Sequence, residues 1–454
     1  MTHINNHKQV HLIGIGGCSM NGLAQLLSDR GLKVQGSDVT DSPFTDRLIE
    51  LGIPVFIGHR PENIGSSDLI IYSAAIKPDN PERRAAREAG IPELERSVAL
   101  GQLSEGYKSV VGIAGCHGKT TITSMLALIS LTGGPDATVH VGGYEEFLGG
   151  GTRVGSKDLF ITEACEYVES FLTLRPTIAL IHNIDDDHLD YFKDIDAITD
   201  AFRKFVNKLP EDGLFIGCTD DEHVIKLLGE FKGRKLTYGM HGGDCRPQNI
   251  EFDDSGSASY DFTYKGEKLA RITLHVPGTH NVMNSLAAMA VALELKSDIK
   301  KAAEALSRYR LAKRRFEFYG KTPEGAMLYH DFAHHPGEIR AIIETANRVK
   351  RNRLIAVLQC NSYTRAKTLF LKDPSCLAGA DEVLTVDIYP GREKDDGTVH
   401  AGDMVNAFVN AGIDARYTPT FEDVRDYLKT TAKPGDLVLT LGSGDVYKQT
   451  KKLL

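Results

Sequence analysis

The sequence contains no uninterrupted apolar run approaching the roughly 18 residues that a membrane-spanning helix needs. Its first residues enter a strand-like segment directly, without the basic region and the cleavable apolar region of a signal peptide. Both absences argue against a membrane protein and against a secreted one. We therefore expect a cytoplasmic protein.

The chain also lacks an excess of positive charge. Its 53 lysine and arginine residues are outnumbered by 61 aspartate and glutamate residues, which gives a formal net charge of −8. A basic surface for the phosphate backbone of a nucleic acid is therefore not expected. The hydrophobic fraction of 41% and the charged fraction of 25% are ordinary for a globular protein, so we expect folded domains throughout.

Cysteine is scarce and scattered. The chain has seven cysteines, an odd number, and none of them forms a CxxC pair. This pattern argues against a disulfide framework and against a cysteine-ligated zinc site. We expect reduced thiols with mainly structural roles.

The length of 454 residues predicts about three domains of roughly 150 residues each. Predicted strands alternate with glycine turns and amphipathic helices, which is typical of α/β proteins. New strand–turn–helix units begin near Lys108 and after the charged segment 311–320. We therefore predict three α/β domains, at residues 1–107, 108–310 and 311–454.

The first glycine turn lies between a predicted strand and a predicted helix. Backbone amides at such a turn, together with the helix dipole, bind a pyrophosphate. Asp38 ends the next predicted strand, where a ribose contact is expected. Ser19 replaces the third glycine of a GxGxxG motif, so the pattern favours a nucleotide-like diphosphate but leaves a merely tight turn open. The residues of this turn are Gly14, Gly16, Gly17, Cys18 and Ser19.

A second glycine turn is more specific. Its clustered amides and the Lys119 ammonium suit the phosphates of ATP, and the Thr120 hydroxyl suits Mg²⁺. Its spacing departs from the common Walker motif, because Ile113 stands five residues before Gly118. We predict phosphate binding here in preference to an ordinary strand-to-helix turn. The turn reads Gly115, Cys116, His117, Gly118, Lys119, Thr120 and Thr121.

Two strand ends in the same predicted domain offer further ligands for a magnesium ion. Glu163 ends one strand, and Asp185, Asp186, Asp187 and His188 follow another. Ligands in open α/β sheets bind at the carboxyl ends of strands. The alternative for the acidic run is a helix start stabilised by the helix dipole. The phosphate-binding turn nearby favours the metal.

Polar residues also follow strands in the third predicted domain. Adjacent histidines alternate faces, so at most one of His334 and His335 is expected to take part in chemistry. Arg314 and Arg315 are either solvated linker residues or reach a phosphate across a cleft, and both alternatives stay open. The residues that follow these strands are Asp331, His334, His335, Tyr363 and Arg365.

Motifs in order along essentially the whole chain resemble those of the Mur ligase family. They are HLIGIGG near the start, YSAAIKPDNPE (72–82), AGCHGKTT, EACEYVESFL (163–172), HNIDDDHLDYF (182–192), GTHNVMN (278–284), RRFE (314–317), DFAHHP (331–336) and LGSGDVY (441–447). The resemblance implies a Rossmann-like N-terminal domain for a UDP-sugar, a central P-loop ATPase-type domain and a Rossmann-like C-terminal domain that admits an amino acid.

The activity that this resemblance implies is an ATP-dependent ligation in peptidoglycan precursor synthesis. ATP would phosphorylate the carboxylate of UDP-N-acetylmuramate, and the amine of L-alanine would attack the acyl phosphate. Lys119 and Thr120 would then hold ATP phosphates and Mg²⁺, with Glu163 and His188 as further metal contacts. His188 and His335 are both candidates for the base that deprotonates the amine.

The resemblance implies two further groups of contacts. Contacts with ATP would come from His280, Asn281, Arg315 and Asp331. Contacts with the UDP-sugar would come from Gly14, Gly16, Gly17, Cys18, Ser19, Asp38 and Ser73.

One segment departs from the family pattern. Residues 359–366 read QCNSYTRA, where family members have a run such as QPHRYSRT or QPHTYTRT. The Pro, the His and the residue after the His are replaced, whereas Tyr363 and Arg365 are retained. Arg365 suits the carboxylate of an amino acid.

Other activities remain as alternatives. A related recycling ligase joins UDP-N-acetylmuramate to a preformed tripeptide, but EACEYVESFL and the chain length favour the alanine reaction. An NAD-dependent oxidoreductase built on the first turn would leave the second turn unexplained. A non-catalytic paralogue would not be expected to keep Lys119, Glu163 and His188. The oligomeric state is open.

Overall fold

The computed structural model describes residues 2–186, 188, 191–311, 313–391, 393–444 and 446–454. The described chain divides into two compact units by its internal contacts. The N-terminal unit comprises the residues up to Gln248, together with Asp261–Ile272 and Asn284–Ser307. The C-terminal unit comprises Asn249–Tyr260, Thr273–Met283 and the residues from Arg308 onward.

The first sheet of the N-terminal unit is parallel. Its strands are β1 (Gln9–Ile13), β2 (Lys33–Asp38), β3 (Val55–Ile57), β4 (Leu69–Tyr72) and β5 (Glu93–Glu95). Its helices are α1 (Cys18–Asp29), α2 (Pro43–Glu50), α3 (Pro81–Glu88) and α4 (Arg96–Ser104). The strand order β3-β2-β1-β4-β5 is that of a Rossmann unit, with a binding crevice where the order reverses beside β1. This confirms the Rossmann-like prediction.

A second sheet begins at β6. Its strands are β6 (Ser109–Ala114), β7 (Thr138–Glu145), β8 (Gly150–Arg153), β9 (Leu159–Glu163), β10 (Ile178–Ile181), β11 (Leu214–Cys218) and β12 (Arg234–Tyr238). They lie in the order β12-β11-β10-β6-β9-β7-β8, and β8 runs antiparallel to β7. Because β10 and β9 flank β6 in parallel, the segments that follow these three strands meet at one edge of the sheet.

Helices and further strands complete this part of the chain. The helices are α5 (Lys119–Thr132), α6 (Ile195–Val206), α7 (Glu222–Glu230), α8 (Thr279–Glu294) and α9 (Ile299–Arg308). The strands β13 (Cys245–Phe252), β14 (Ser257–Tyr264) and β15 (Glu267–Pro277) follow β12 in the sheet order. The chain passes from one unit to the other within these three strands and within α8 and α9.

The C-terminal unit contains a third sheet, in the order β16-β17-β21-β18-β19-β20. Its strands are β16 (Glu317–Lys321), β17 (Met327–Asp331), β18 (Leu354–Leu358), β19 (Glu382–Thr385), β20 (Ala415–Tyr417) and β21 (Leu437–Leu441). Its helices are α10 (Pro336–Arg348), α11 (Tyr363–Arg365), α12 (Ala401–Asn410), α13 (Phe421–Thr431) and α14 (Val446–Thr450). β16 is antiparallel to β17, and the other neighbouring strands are parallel. Pro336 opens α10, as the sequence predicted.

Apolar side chains fill the space between sheets and helices. β10, β18 and β21 are buried along their whole length, as expected for strands covered on both faces by helices. In the N-terminal unit, the Phe171 and Phe205 rings stack with centroids 4.7 Å apart inside the core. All seven cysteines lie in the described residues and none of them forms a disulfide bond, which agrees with the prediction of reduced thiols. No helix in the described residues is both long and apolar enough to cross a membrane.

Candidate active site

The second glycine turn joins β6 to α5 in the N-terminal unit. Gly115 and Gly118 have φ angles of 142° and 85°, which L side chains rarely adopt. A Cβ on Gly118 would lie 2.5 Å from Oδ1 of Asn284, so the turn also needs glycine for space. The chain enters α5 at Lys119, and Thr120 and Thr121 follow in its first turn. The turn predicted from sequence is therefore present.

Not every amide of this turn is available to a phosphate. Asn183, which follows β10, accepts the Cys116 amide with its carbonyl at 3.1 Å and the His117 amide with Oδ1 at 2.8 Å. The Cys116 thiol accepts the Asp185 amide at 3.2 Å, so this cysteine holds the turn to the next strand end. No side-chain cap engages the first turn of α5 within the described chain. The amides that remain available to a phosphate are therefore those in the first turn of α5. The amides of Cys116 and His117, which the sequence analysis also placed in the phosphate site, are already bonded to Asn183.

Lys119 makes a buried ion pair that sequence reasoning missed. Its Nζ donates to the carbonyls of Gly115 and Cys116 at 2.6 and 3.1 Å and to Glu166 at 2.9 Å. Burial by itself would lower the pKa of Lys119, but the Glu166 carboxylate raises it above its usual value. Burial would raise the pKa of Glu166, but Lys119 and His188 hold it below its usual value. Both groups are therefore charged at neutral pH.

The predicted metal contacts begin with Thr120 and Glu163, which the sheet order brings together. Oγ1 of Thr120 donates to Oε2 of Glu163 at 3.2 Å. The backbone amide of Gly142, in β7, donates to the other carboxylate oxygen of Glu163. Carboxylate and hydroxyl oxygens are the ligand types that Mg²⁺ prefers. The donor set therefore fits a magnesium ion.

His188 reaches the same carboxylate as Lys119. Its Nε2 lies 3.5 Å from Oε1 of Glu166, and its ring lies 4.6 Å from that of Tyr167. The φ angle of His188 is 54°, which is strained for a residue with a side chain. Residues with such strained backbone angles are found most often at functional sites. Asp185 contacts His117 at 3.2 Å, whereas Asp187 lies outside the described residues.

Glu145 is a second buried carboxylate near Glu163. It ends β7, is 3% exposed and accepts a hydrogen bond from the Ser124 hydroxyl at 2.5 Å. Burial raises the pKa of Glu145 to about 7, with Glu163 adding to the rise and Ser124 opposing it. Nothing in the sequence pattern singles out this residue.

The first glycine turn joins β1 to α1. Gly14 has a φ angle of 84°, and Ser73 lies beside it, since a Cβ on Gly14 would be 3.6 Å from that of Ser73. Oδ2 of Asp38 accepts the Gly16 amide at 2.8 Å, so this carboxylate holds the turn itself. No side chain caps α1 after Gly17 in the described part of the chain. Its first amides therefore form a candidate anion site.

Arg96 adds a cation that the sequence reading did not find. Its guanidinium donates to the Ser19 hydroxyl at 3.1 Å, across 77 residues. Arg96 forms no ion pair with any carboxylate that the structure describes. Ser19 also contacts Nε2 of His140 at 2.9 Å, and burial together with Arg96 lowers the pKa of His140 to about 3, so that ring is neutral. A positive group that has no counter-charge among the described residues therefore lies at the start of α1.

Cys18 is less suited to chemistry. Its thiol donates to the Val141 carbonyl at 3.7 Å. Burial, with the Glu163 and Glu145 carboxylates, raises the pKa of Cys18 to about 12. The thiol therefore stays protonated and packs the turn against β7.

In the C-terminal unit, Asp331 is buried at the end of β17. Its carboxylate accepts the amides of Ala333 and Phe316 at 2.6 Å each. Burial raises the pKa of Asp331 to about 6, against the effects of Arg315 and the two amides. Asp331 therefore joins the segment before β16 to the loop after β17. Nδ1 of His335 accepts the Gly337 amide at 3.2 Å as the cap of α10.

The pair His280 and Asn281 also belongs to the C-terminal unit. Nδ2 of Asn281 donates to the Pro277 carbonyl at 2.7 Å, and Nδ1 of His280 lies 3.5 Å from the Thr345 hydroxyl. Desolvation, followed by the effect of Arg315, lowers the pKa of His280 to about 4. This imidazole is neutral at physiological pH.

Tyr363 and Arg365 form a short helix after β18. The Tyr363 ring packs against the core of the C-terminal unit. Ser362 precedes the helix with a φ angle of 84° and accepts the Arg365 amide with its hydroxyl at 3.3 Å. The Arg365 guanidinium has no ion-pair partner among the residues that the structure describes. Among the described residues, it is therefore an unpaired cation at the carboxyl edge of the third sheet.

Models of known families match three consecutive parts of the chain. The Mur ligase family catalytic domain matches residues 9–108, and the Mur ligase middle domain matches residues 113–292. The Mur ligase glutamate ligase domain matches residues 314–444. The chain belongs to the Mur ligase family. It is therefore an ATP-dependent ligase, as the sequence predicted.

Relatives cover nearly the whole of this Mur ligase. The UDP-N-acetylmuramate--L-alanine ligase of Acetivibrio thermocellus is 42% identical over 446 residues, 98% of this chain and 95% of the relative. The ligase of the same name from Clostridium tetani is 43% identical over 441 residues, 97% of this chain and 96% of the relative. The crystal structure of the UDP-N-acetylmuramate-alanine ligase from Thermotoga maritima matches with a TM-score of 0.78 and 26% identity over 98% of both chains.

Proposed function

We propose that this Mur ligase joins L-alanine to the carboxylate of UDP-N-acetylmuramate, with ATP as the energy source, in peptidoglycan precursor synthesis. The observation that carries the proposal is the contact between Thr120 and Glu163 beside the Lys119 turn, in a chain that matches ligases of this name over its length. The identity of 42–43% to ligases named for the alanine reaction supports that reaction over tripeptide recycling.

The three-domain division remains part of the proposal. Residues 1–107 would bind the UDP-sugar, residues 108–310 would bind ATP, and residues 311–454 would bind the amino acid. Within residues 1–107, the open amides of α1 and the Arg96 guanidinium suit a diphosphate. The cytoplasmic location stays a prediction.

The reaction must overcome the weak electrophilicity of a carboxylate. The substrate carboxylate oxygen attacks the γ-phosphorus of ATP, ADP leaves, and an acyl phosphate forms. The amine of alanine then attacks the carbonyl carbon and gives its proton to water or to the leaving phosphate, and inorganic phosphate leaves as the amide forms. Lys119 would stabilise the charge on the phosphoryl oxygens, and Glu166 keeps that ammonium protonated and in place.

A magnesium ion would be held by Thr120, Glu163 and His188. When bound, Mg²⁺ neutralises charge on the phosphate oxygens of ATP. The Gly142 amide orients Glu163 for this task. A neutral imidazole that binds a metal through one ring nitrogen carries its proton on the other, so His188 cannot be a metal contact and the base for the amine at the same time.

The Nε2 atom of His335 is suited to donate a hydrogen bond rather than to accept a proton. Because Nδ1 accepts the Gly337 amide, the neutral ring carries its proton on Nε2. That N–H can donate to a phosphate or carbonyl oxygen. His280, Asn281, Arg315 and Asp331 remain proposed ATP contacts.

The proposal is tested by phosphate release from ATP in the presence of UDP-N-acetylmuramate. We expect release with L-alanine to exceed release with glycine, L-serine or the tripeptide L-alanyl-γ-D-glutamyl-meso-diaminopimelate. A higher kcat/KM for the tripeptide would favour the recycling ligase. No release with any of these acceptors would overturn the proposed ligation.

A further inference from the structure

Three loops meet at the carboxyl edge of the third sheet. The strand order places β18 between β21 and β19. Asn361, which follows β18, pairs with Tyr389 after β19, and its side-chain amide donates to the Ser443 hydroxyl after β21. The carboxyl edge of a parallel sheet is where α/β proteins bind ligands. The replaced family segment therefore belongs to a defined cluster of loops.

The backbone is held tightly where the loops meet. The Ser362 amide donates to the Tyr389 carbonyl at 2.8 Å, and the Tyr389 amide donates to the Cys360 carbonyl at 2.9 Å. Between these bonds, Ser362 has a φ angle of 84°. A serine in this left-handed conformation is strained and persists only where its surroundings over-determine it. The bonds around Ser362 provide that constraint.

Glu393 supplies a further constraint from the loop after β19. Its Oε2 accepts the Thr364 amide at 3.0 Å. Partial burial by itself would raise the pKa of Glu393. Hydrogen bonds from Thr364, the Ser362 hydroxyl and the Tyr363 amide instead lower it below its usual value. The carboxylate is therefore charged, and neutral groups of the Ser362–Arg365 turn surround it.

The Glu393 carboxylate accepts hydrogen bonds from the turn but does not neutralise the Arg365 guanidinium. The two side chains form no ion pair, and Arg365 pairs with no other carboxylate in the described parts of the chain. Glu393 thus fixes the Ser362–Arg365 turn but leaves the Arg365 guanidinium available to a ligand. This arrangement suits a ligand that brings its own carboxylate.

We propose that Glu393 is a positioning residue for the amino-acid substrate: it fixes the Ser362–Arg365 turn so that the guanidinium receives the substrate carboxylate. This inference rests on the proposed function and deepens it. A fixed arginine holds the zwitterion with its amine directed at the acyl phosphate. A loose turn binds the amino acid poorly but leaves the ATP site intact.

The test is steady-state kinetics of phosphate release with L-alanine and ATP varied in turn. For Glu393→Ala we expect the KM for alanine to rise about 10-fold to 100-fold, with the KM for ATP unchanged. Glu393→Gln keeps one acceptor oxygen for the Thr364 amide, so it should restore much of the affinity. Glu422→Ala is the matched control, because Glu422 pairs with Lys452 at 3.0 Å on the surface of the same unit.

A double-variant cycle shows whether Glu393 acts through the arginine. Arg365→Lys keeps the charge but loses the planar fork, so we expect a raised KM for alanine. If Glu393 works by placing Arg365, adding Glu393→Ala to Arg365→Lys should raise this KM by less than it does in the native chain. Equal effects in both backgrounds would overturn the inference.

Thermal unfolding shows whether each variant is folded. If Glu393→Ala does not fold, the KM for alanine of Glu393→Gln is the test of the positioning role. An unchanged alanine KM in a folded Glu393→Ala variant would overturn the positioning role while the ligase assignment stands. A parallel rise in the KM for ATP would also overturn it, because that would indicate general loosening. Failure of the proposed function is distinguishable, since the native enzyme itself would then release no phosphate with alanine.

Discussion

Nζ of Lys119 lies 2.9 Å from Oε2 of Glu166, and the two side chains are only 14% and 1% exposed. The ammonium assigned to ATP phosphates therefore already has a buried anionic partner. Two backbone carbonyls accept its other protons. Glu166 thus keeps Lys119 charged and in one rotamer before any nucleotide binds.

Replacement of Lys119 tests both consequences of this pair. Lys119→Met should lower kcat by about 10² or more, because it removes a preorganised positive charge. It should also lower the free energy of unfolding by about 3–5 kcal/mol, because the buried Glu166 carboxylate loses its ammonium partner at 2.9 Å and keeps only the His188 contact at 3.5 Å. Phosphate release and urea denaturation measure the two effects.

The double variant Lys119→Met/Glu166→Gln separates activity from stability. We expect it to recover much of the free energy of unfolding and none of the turnover. Lys108→Met is the control, because Lys108 pairs with Asp158 on the surface. Native turnover in the single variant, or a double variant no more stable than the single one, would contradict this account.

The proposed metal contacts predict a change in magnesium requirement. Glu163→Gln and His188→Ala should each raise the Mg²⁺ concentration for half-maximal rate by about 10-fold to 100-fold. A magnesium titration of phosphate release at saturating ATP measures this. Glu230→Gln, which removes only a surface partner of Arg203, should titrate like the native enzyme. If both site variants also do so, Glu163 and His188 have structural roles only.

The first glycine turn predicts binding of a UDP-sugar and not of NAD. A Cβ on Gly16 would lie 2.9 Å from Oδ2 of Asp38, so Gly16→Val should disturb the turn and weaken UDP-N-acetylmuramate binding. Arg96→Ala should weaken it by about 10-fold or more, by loss of a charge-assisted hydrogen bond. Isothermal titration calorimetry measures both, with Arg47→Ala as a surface control. Tight NAD binding without a UDP-sugar signal would reverse the assignment.

Glu145 predicts a pH dependence of stability. Burial raises its pKa from 4.5 to about 7 in the folded state, so the folded chain holds this proton more tightly than the unfolded chain does. The contribution of Glu145 to stability is therefore fully present below pH 4.5 and is lost as the pH rises to about 7. The loss amounts to at most about 3 kcal/mol.

Glu145→Gln keeps an acceptor for Ser124 and removes the ionisation. We expect its free energy of unfolding, relative to the native chain, to increase between pH 5 and pH 8. Urea denaturation without magnesium measures the difference. Glu50→Gln, a change in a surface pair with Arg47, should show no such trend. A pH-independent difference for Glu145→Gln would show that this carboxyl does not titrate in the window.

Local patterns in the sequence predicted most of the fold. Apolar periodicity and glycine turns mark strand–turn–helix units wherever neighbouring residues decide the backbone. The turn before Lys119 was predicted in this way, because Gly115 and Gly118 adopt positive φ angles that favour glycine over other residues. The shared metal site predicted for Thr120 and Glu163 stays a prediction, but their side chains do lie 3.2 Å apart, because β6 and β9 are parallel neighbours whose carboxyl ends share an edge.

The partners that complete these sites required the tertiary structure. Glu166 and Lys119 are 47 residues apart, and Arg96 and Ser19 are 77 apart. Along the chain β6 comes before β9 and β9 before β10, but in the sheet β6 lies between the other two. Local propensities set which residues end a strand, whereas the packing of whole strands and helices sets which strand ends are neighbours. Glu166, Arg96 and Glu393 acquire their roles from that packing, because the bonds that define each of them come from distant parts of the chain.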